Sequence, residues 1–401
     1  MNPRYLFLIA NASWFFSFGM QSVVFAWLVT IVLREPAELV GWAQTAILLP
    51  GTLLMLFAGA LADKVGADRQ AIMAQSVAAV APWFLIYVLS IGGLSYAVMI
   101  VYAVTMGLAQ AFVTPARDGM LNQVAGGNVQ RTVLQASLVQ FTGQIIGYFI
   151  AGTADQIGAE FILILQSIFL LFGIIAYALI GRAGVLTRSS VQVSVWSGIV
   201  QGARTVADSR VMRVVILQNV AMACFFMGCF IVCFPLVVRE VFDGSSSDLA
   251  TLNAMNSLGL VVSILIMLRI GYIRYAGRAL LIFQMIGAVA LALAGAMERY
   301  ELFVGMVFIW GICGGINLPL ARTLMQELAP PEQRSRVMSF YAVSFMGLGP
   351  LGTVLNGYLA ASFGPQLAII ICGSVMFVIS VLITLFSSLW RTKLDPSEVP
   401  L

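Results

Sequence analysis

The sequence has no histidine, and charged residues make up only 9% of it against 61% hydrophobic ones. The first absence removes any Ser-His-Asp triad and any HExxH zinc site. The second excludes a soluble globular protein, whose charged share is typically ~25%. No G-x-x-x-x-G-K-S/T stretch is present, so nucleotide hydrolysis is not expected. The five cysteines, Cys224, Cys229, Cys233, Cys313 and Cys372, sit in apolar runs without C-x-x-C spacing and read as packing thiols, with no disulfide or zinc site. None of the seventeen Asp and Glu residues falls in the middle of an apolar run. Enzymatic activity, a metal, a cofactor and a nucleic-acid partner are all unexpected.

What remains is a polytopic membrane protein in contact with the lipid bilayer. Cutting at charged or Gly/Pro/Ser-rich breaks gives twelve apolar segments, near 5–33, 39–62, 70–90, 95–115, 131–153, 160–181, 211–238, 249–269, 277–296, 301–320, 337–360 and 365–390. Each is long enough for a spanning helix of roughly 20 residues. The polar interval from Arg182 to Arg213 divides them into two sets of six. The expected organisation is an N-terminal six-helix bundle over 1–181, a linker over 182–210 and a C-terminal bundle over 211–401. Within the linker, VQVSVWSGIVQGARTVADS can form an amphipathic helix on a membrane surface. With the N-terminus inside, eighteen Lys and Arg residues, among them Arg4, Arg117, Arg131, Arg188 and Lys393, fall on the inner side. Only Arg34, Arg239 and Arg299 fall outside. This positive-inside asymmetry supports the twelve-span parse and places both termini in the cytoplasm.

Sliding the chain by 205 positions superposes Gly66 on Gly271, Arg69 on Arg274, Arg117 on Arg322, Met120 on Met325, Gly147 on Gly352 and Gly152 on Gly357. Lys64 meets Arg269 and Arg131 meets Arg336. Matches at equivalent loop and helix positions indicate two bundles of the same orientation, a transporter architecture.

Between the second and third segments, Gly59 to Arg69 reads GALADKVGADR, a charged cluster expected to form a short hairpin at the membrane edge. With the twelve spans and the repeat, it resembles the major facilitator superfamily, whose loop motif is G-x-L-A-D-R-x-G-R-R/K. Gly59, Leu61, Ala62, Asp63, Lys64 and Gly66 match; Ala67 and Asp68 stand where basic residues occur, and Arg69 comes one place later. FVTPARDGML from Phe112 and PPEQRSRVMSFYAVSFMGLGPLGTVLNGYLA from Pro330 are similar to the branch of the enterobactin exporter and the macrolide efflux pumps. The glycine motif of drug antiporters has a counterpart in GQIIGYFIAG, with Tyr148 in place of its proline. The resemblance implies an all-α fold of two pseudo-symmetric six-helix bundles. It also implies a gating role for Gly59, Asp63, Lys64, Gly66, Arg69, Arg117 and Asp118, with Asp63 facing the start of the eleventh span and Arg69 and Asp118 completing a charge relay.

Other features come from the residues themselves. Gly147 in the fifth span and Pro350 and Gly352 in the eleventh allow close approach and bending, which suits a sliding interface. Asn11, Phe15, Phe18, Ser22 and Phe25 share one face of the first span, an aromatic wall with polar points. Amides inside spans must face protein or a water-filled cavity. Gln110, Gln140, Gln218, Asn219, Asn253, Asn256 and Asn317 therefore join that wall as candidate cavity residues, each equally able to join helix to helix. No formal charge is expected in the cavity.

The function these observations favour is secondary active export of an amphipathic small organic molecule, a drug or siderophore, by alternating access. The protein is expected to work as a monomer in a bacterial-type inner membrane, with protons as the candidate coupling ion. The alternatives are a lipid or lysolipid flippase of the same fold, and a non-transporting membrane receptor or assembly partner.

Overall fold

The computed structural model describes residues 2–125, 129–184, 195–270, 273, 275–330 and 333–392. Gly271, Arg274, Arg188 and Lys393 lie outside the described residues, as do the side chains of Asp63 and Arg131. The described residues contain helices and no strands. The first set is α1 (Pro3–Val32), α2 (Ala37–Val65), α3 (Ala67–Ser90), α4 (Tyr96–Val124), α5 (Val129–Ala151) and α6 (Ala159–Arg182). The amphipathic α7 (Val195–Asp208) follows. Then come α8 (Arg210–Glu240), α9 (Ser246–Ile270), α10 (Ala276–Gly295), α11 (Tyr300–Leu328), α12 (Arg334–Met346), α13 (Gly349–Phe363) and α14 (Pro365–Phe386). Among the described residues ten segments are long and apolar enough to cross a membrane, α12 and α13 forming one of them from Arg336. Two further helices have spanning length, α2 with 29 residues and α5 with 23.

The chain divides into two compact units. One comprises Met1–Gln192 with Asp243–Ala254; the other comprises Val193–Phe242 with Met255–Leu401. The start of α9 thus belongs with the first unit and the rest of α9 with the second. The interval expected as a linker contributes α7 to the second unit, where it packs on α12: a Cβ on Gly202 would fall 2.7 Å from the backbone carbon of Arg336.

Both units use the same device to bring helices together. In the first, Gly147 of α5 lies against the α1 backbone at Phe16, Gly19 and Met20. In the second, Gly352 of α13 lies against the α8 backbone at Ala223 and Cys224. These are equivalent positions of the repeat. A hydrogen in place of a side chain lets two backbones meet, which is how helices associate where lipid offers no hydrophobic drive.

Polar side chains complete the seams. In the first unit Gln75 Nε2 donates to Ser13 Oγ at 3.1 Å and Leu170 O at 2.9 Å, and Trp83 Nε1 donates to Ser167 Oγ at 2.8 Å. Ser13 Oγ in turn donates to Phe169 O. These bonds tie α1, α3 and α6 together. In the second, fully buried Asn356 donates to Cys224 O and Gly352 O at 2.8 Å each and accepts from Cys372 Sγ at 3.0 Å. All five cysteines are free and buried.

Two sequence expectations need correction. The charged stretch turns the chain between two helices as expected, but its charged residues lie in the helix ends and not in a loop. Helix α2 runs through Asp63 and Lys64 to Val65, α3 starts at Ala67, and Gly66 is the whole connection. Gly66 adopts φ 106°, ψ 131°, a region open in practice only to glycine. Its N–H donates to Ala62 O and its carbonyl accepts from Gln70 N, both at 3.0 Å. Helix persists because the charges suit the helix ends, Lys64 in the last turn of α2 and Asp68 in the first turn of α3. The eleventh span, in turn, is not one bent helix. It stops at Met346 and restarts at Gly349, with Pro350 in the first turn of the new segment. There the missing N–H costs no helical bond.

Candidate functional site

The aromatic face of α1 is present in the first unit. Phe15 and Phe18 meet edge to face with centroids 6.4 Å apart, and Phe25 stacks on Tyr102 of α4 at 6.4 Å. Its polar points are tied into the helices. Asn11 Nδ2 donates to Ala136 O of α5 at 2.9 Å, and Ser22 Oγ donates to Gly19 O of its own helix at 3.0 Å. Gln110 and Gln140 are half-buried.

In the second unit the amides are more deeply packed. Asn219 Nδ2 donates to Tyr341 O at 3.2 Å and Ser344 Oγ at 2.8 Å. Gln218 donates to Gln284, leaving Gln218 Oε1 and Gln284 Nε2 buried without partners. Asn317 bridges Leu280 O at 2.9 Å and the Gln284 N–H at 3.3 Å once its amide is turned so that nitrogen meets acceptor and oxygen meets donor. Asn256 is half-buried, its backbone against Gly311. Asn253, in the first unit, donates to Leu249 O at 2.8 Å within its own helix.

The charged residues at the α2–α3 turn divide by exposure. Lys64 and Arg69 are exposed, and Gly59 lies 4.0 Å, measured from an added Cβ, from Pro115 of α4. Asp118 is exposed too. Arg117 is not. Sequence reasoning put Arg117 among the charges of inner loops and helix ends; it lies four residues before the end of the apolar segment Tyr96–Leu121, with a side chain only 12% exposed. Its guanidinium carbon stands 4.6 Å from the centroid of Phe15.

A second cluster was missed by sequence reasoning. Asp155 accepts from Trp27 Nε1 at 2.9 Å and from the Ser246 N–H at 2.5 Å. The Asp155 N–H donates to Ser246 Oγ at 3.2 Å, and Ser246 Oγ donates to Gly152 O at 3.0 Å. One carboxylate thus caps the start of α9, where the helix dipole favours negative charge. Ser245 and Asp248 reinforce that end, the Ser245 N–H donating to Asp248 Oδ2 at 2.7 Å in a capping box. The run Ser-Ser-Ser-Asp before an apolar segment was the available signal.

Among the described residues, ten segments long and apolar enough to cross a membrane and a glycine contact repeated in two units are the architecture of a multi-pass membrane protein. The comparisons agree. The chain matches the family described as transmembrane secretion effector over residues 4–398, and it belongs to that family within the major facilitator superfamily. It is 28% identical over 372 residues to the multidrug efflux pump Tap of Mycolicibacterium fortuitum, covering 86% of each chain. Among solved structures it is similar to the nucleoside transporter NupG, with a TM-score of 0.73 at 12% identity over 98% of this chain and 100% of that one. A POT family transporter in complex with a thioalcohol-conjugated peptide gives a TM-score of 0.72 at 13% identity, covering 96% of both chains. At such identities the structural likenesses speak for the fold alone.

Proposed function

We propose that the protein is a secondary active exporter that moves an amphipathic small organic molecule, a drug or a siderophore, out of the cytoplasm by alternating access. The observation that carries this reading is the match to a multidrug efflux pump over 86% of the chain. The Phe15, Phe18 and Phe25 face supports it, since an apolar ligand is held by buried area and oriented by a few polar groups. Gly147 and Gly352 are the sliding contacts, and the α2–α3 turn with Asp63, Lys64, Gly66 and Arg69 is the gating element. Both termini are cytoplasmic, the working unit is a monomer, and protons are the candidate coupling ion.

The test is a thermal-shift screen of the purified protein against amphipathic compounds, followed by flux of each hit in liposomes with and without a pH gradient. Uphill movement of a hit under the gradient supports proton-coupled export. Hits that move only downhill, at a rate independent of the gradient, refute proton coupling. The absence of any flux refutes the exporter reading.

A further inference from the structure

We infer that Arg278 is the centre of a binding site for the phosphate of an anionic phospholipid, of the phosphatidylglycerol kind, at the membrane edge of the second unit. Such a site needs only that the chain crosses a membrane and is independent of what the chain exports. Three observations carry it.

First, the position. Arg278 is the third residue of α10, a spanning segment that begins at Ala276. Trp390 lies four residues beyond the end of α14, the spanning segment that closes at Phe386. The two stretches meet at Gly277, where an added Cβ would fall 3.0 Å from the carbonyl carbon of fully buried Leu389. Both residues therefore stand where apolar helix gives way to polar headgroups, the level at which tryptophan and tyrosine rings collect.

Second, the posture. The Arg278 guanidinium carbon lies 4.6 Å from the centroid of the Tyr275 ring and 5.8 Å from that of Trp390. Its Nε donates to Trp390 O at 3.2 Å. Two rings and one backbone acceptor thus hold the group in place, while the side chain stays half-buried. Its two terminal nitrogens meet no acceptor among the described residues, and neither is shut away from the surface. They form a planar fork held in one orientation within reach of the headgroup layer, the geometry that takes two oxygens of a phosphate.

Third, the charge around it. Arg391, next to Trp390 in the chain, is exposed. The ion pairs among the described residues involve neither Arg278 nor Arg391. No side chain caps the start of α10, so the helix dipole adds partial positive charge there. Two arginines without a paired carboxylate favour a phospholipid of net negative charge over one whose headgroup carries an ammonium.

The test is native mass spectrometry of the protein extracted from nanodiscs that hold equal amounts of phosphatidylglycerol and phosphatidylcholine with the same acyl chains. Wild type should retain phosphatidylglycerol over phosphatidylcholine by about tenfold, as for a charge-assisted hydrogen bond. Arg278→Gln should lower phosphatidylglycerol to the level of phosphatidylcholine, Arg278→Lys should keep part of the preference, and Arg391→Gln should lower it by about twofold. Arg204→Gln changes an exposed arginine of α7 that stacks on no ring among the described residues, and should leave retention as in wild type. Equal retention of the two lipids by wild type overturns the inference. So does an equal loss in Arg204→Gln and Arg278→Gln, which marks a general effect of surface charge. Unchanged phosphatidylglycerol in Arg278→Gln overturns it as well; where that variant fails to fold, unchanged phosphatidylglycerol in Arg391→Gln does so. Release of the retained lipid by inorganic phosphate, but not by chloride at equal ionic strength, marks a site for the free anion and overturns the assignment to a lipid.

Discussion

The backbone contacts at Gly147 and Gly352 can be tested by adding one methyl group to each. A Cβ on Gly147 would lie 3.0 Å from Met20 N and 3.1 Å from the Gly19 Cα, with Phe16 O nearer still. On Gly352 it would lie 2.6 Å from Ala223 O and 2.9 Å from the Cys224 Cα. Every one of these atoms is helix backbone and cannot swing aside as a side-chain tip can. Overpacking of this kind typically costs about 1–3 kcal/mol. Against it stands the preference of a helix interior for alanine over glycine, about 1 kcal/mol. Helical Gly119 and Gly305 supply controls, because an added Cβ there meets nothing within 4 Å and only the favourable effect remains. Gly147→Ala and Gly352→Ala should therefore melt below wild type or close to it, and Gly119→Ala and Gly305→Ala at or above it. A gap near 2 kcal/mol between the two classes corresponds to roughly 4–8 °C for a unit of this size. Tryptophan fluorescence on heating provides the readout, from Trp14, Trp27, Trp42 and Trp83 in the first unit and from Trp310 and Trp390 in the second. If Gly147→Ala and Gly352→Ala melt with the controls, the close contacts are not what holds α5 to α1 and α13 to α8.

Three further outcomes are expected. Gly66→Ala forces a non-glycine residue to φ 106° and should cost about 1–3 kcal/mol, measured as a lower melting temperature with the same readout. Asn356→Leu leaves the Cys224 carbonyl without its side-chain donor and should cost about 1–3 kcal/mol, whereas Asn253→Leu, whose bond stays within its own helix, should cost clearly less. Asp155→Ala removes the acceptor of the Ser246 N–H and should loosen the start of α9 by about 0.5–2 kcal/mol, seen as faster amide exchange at Ser246 to Leu249; exchange equal to wild type would mean that the Ser245–Asp248 box caps this end alone.

How far the sequence discloses this molecule depends on whether a feature is set along the chain or across it. The spanning helices were legible because the bilayer imposes a length on every apolar run, and the repeat was legible because glycine at a backbone contact admits no substitute. Gly147 and Gly352 are such a pair, one repeat apart. Gly158 and Gly364, before α6 and α14, show the same thing at a turn: their backbones agree at φ 85°, ψ 152° and φ 80°, ψ 154°. The α2–α3 turn was half legible. Its charges announced a membrane edge, but charge alone cannot tell a loop from two helix ends, and Gly66 does the turning unaided.

Features set across the chain stayed hidden. Gln75 and Gln166 stand as isolated amides in apolar runs, and only the packing of α3 and α6 shows what they join. Gln70 donates to Ala58 O at 2.8 Å and Phe112 O at 3.0 Å, tying α3 to α2 and α4, yet it sits next to Arg69 and reads in sequence as part of the charged cluster. Arg117 is the sharper case. Beside Asp118, near the end of an apolar run, it looks like one more topological charge, and half of the pair is: Asp118 faces out and Arg117 faces in. Adjacent helix positions point about 100° apart, so a charged dipeptide at the edge of a span need not share one environment. The outward charge can help fix topology, while the inward one packs its guanidinium on the Phe15 ring of α1.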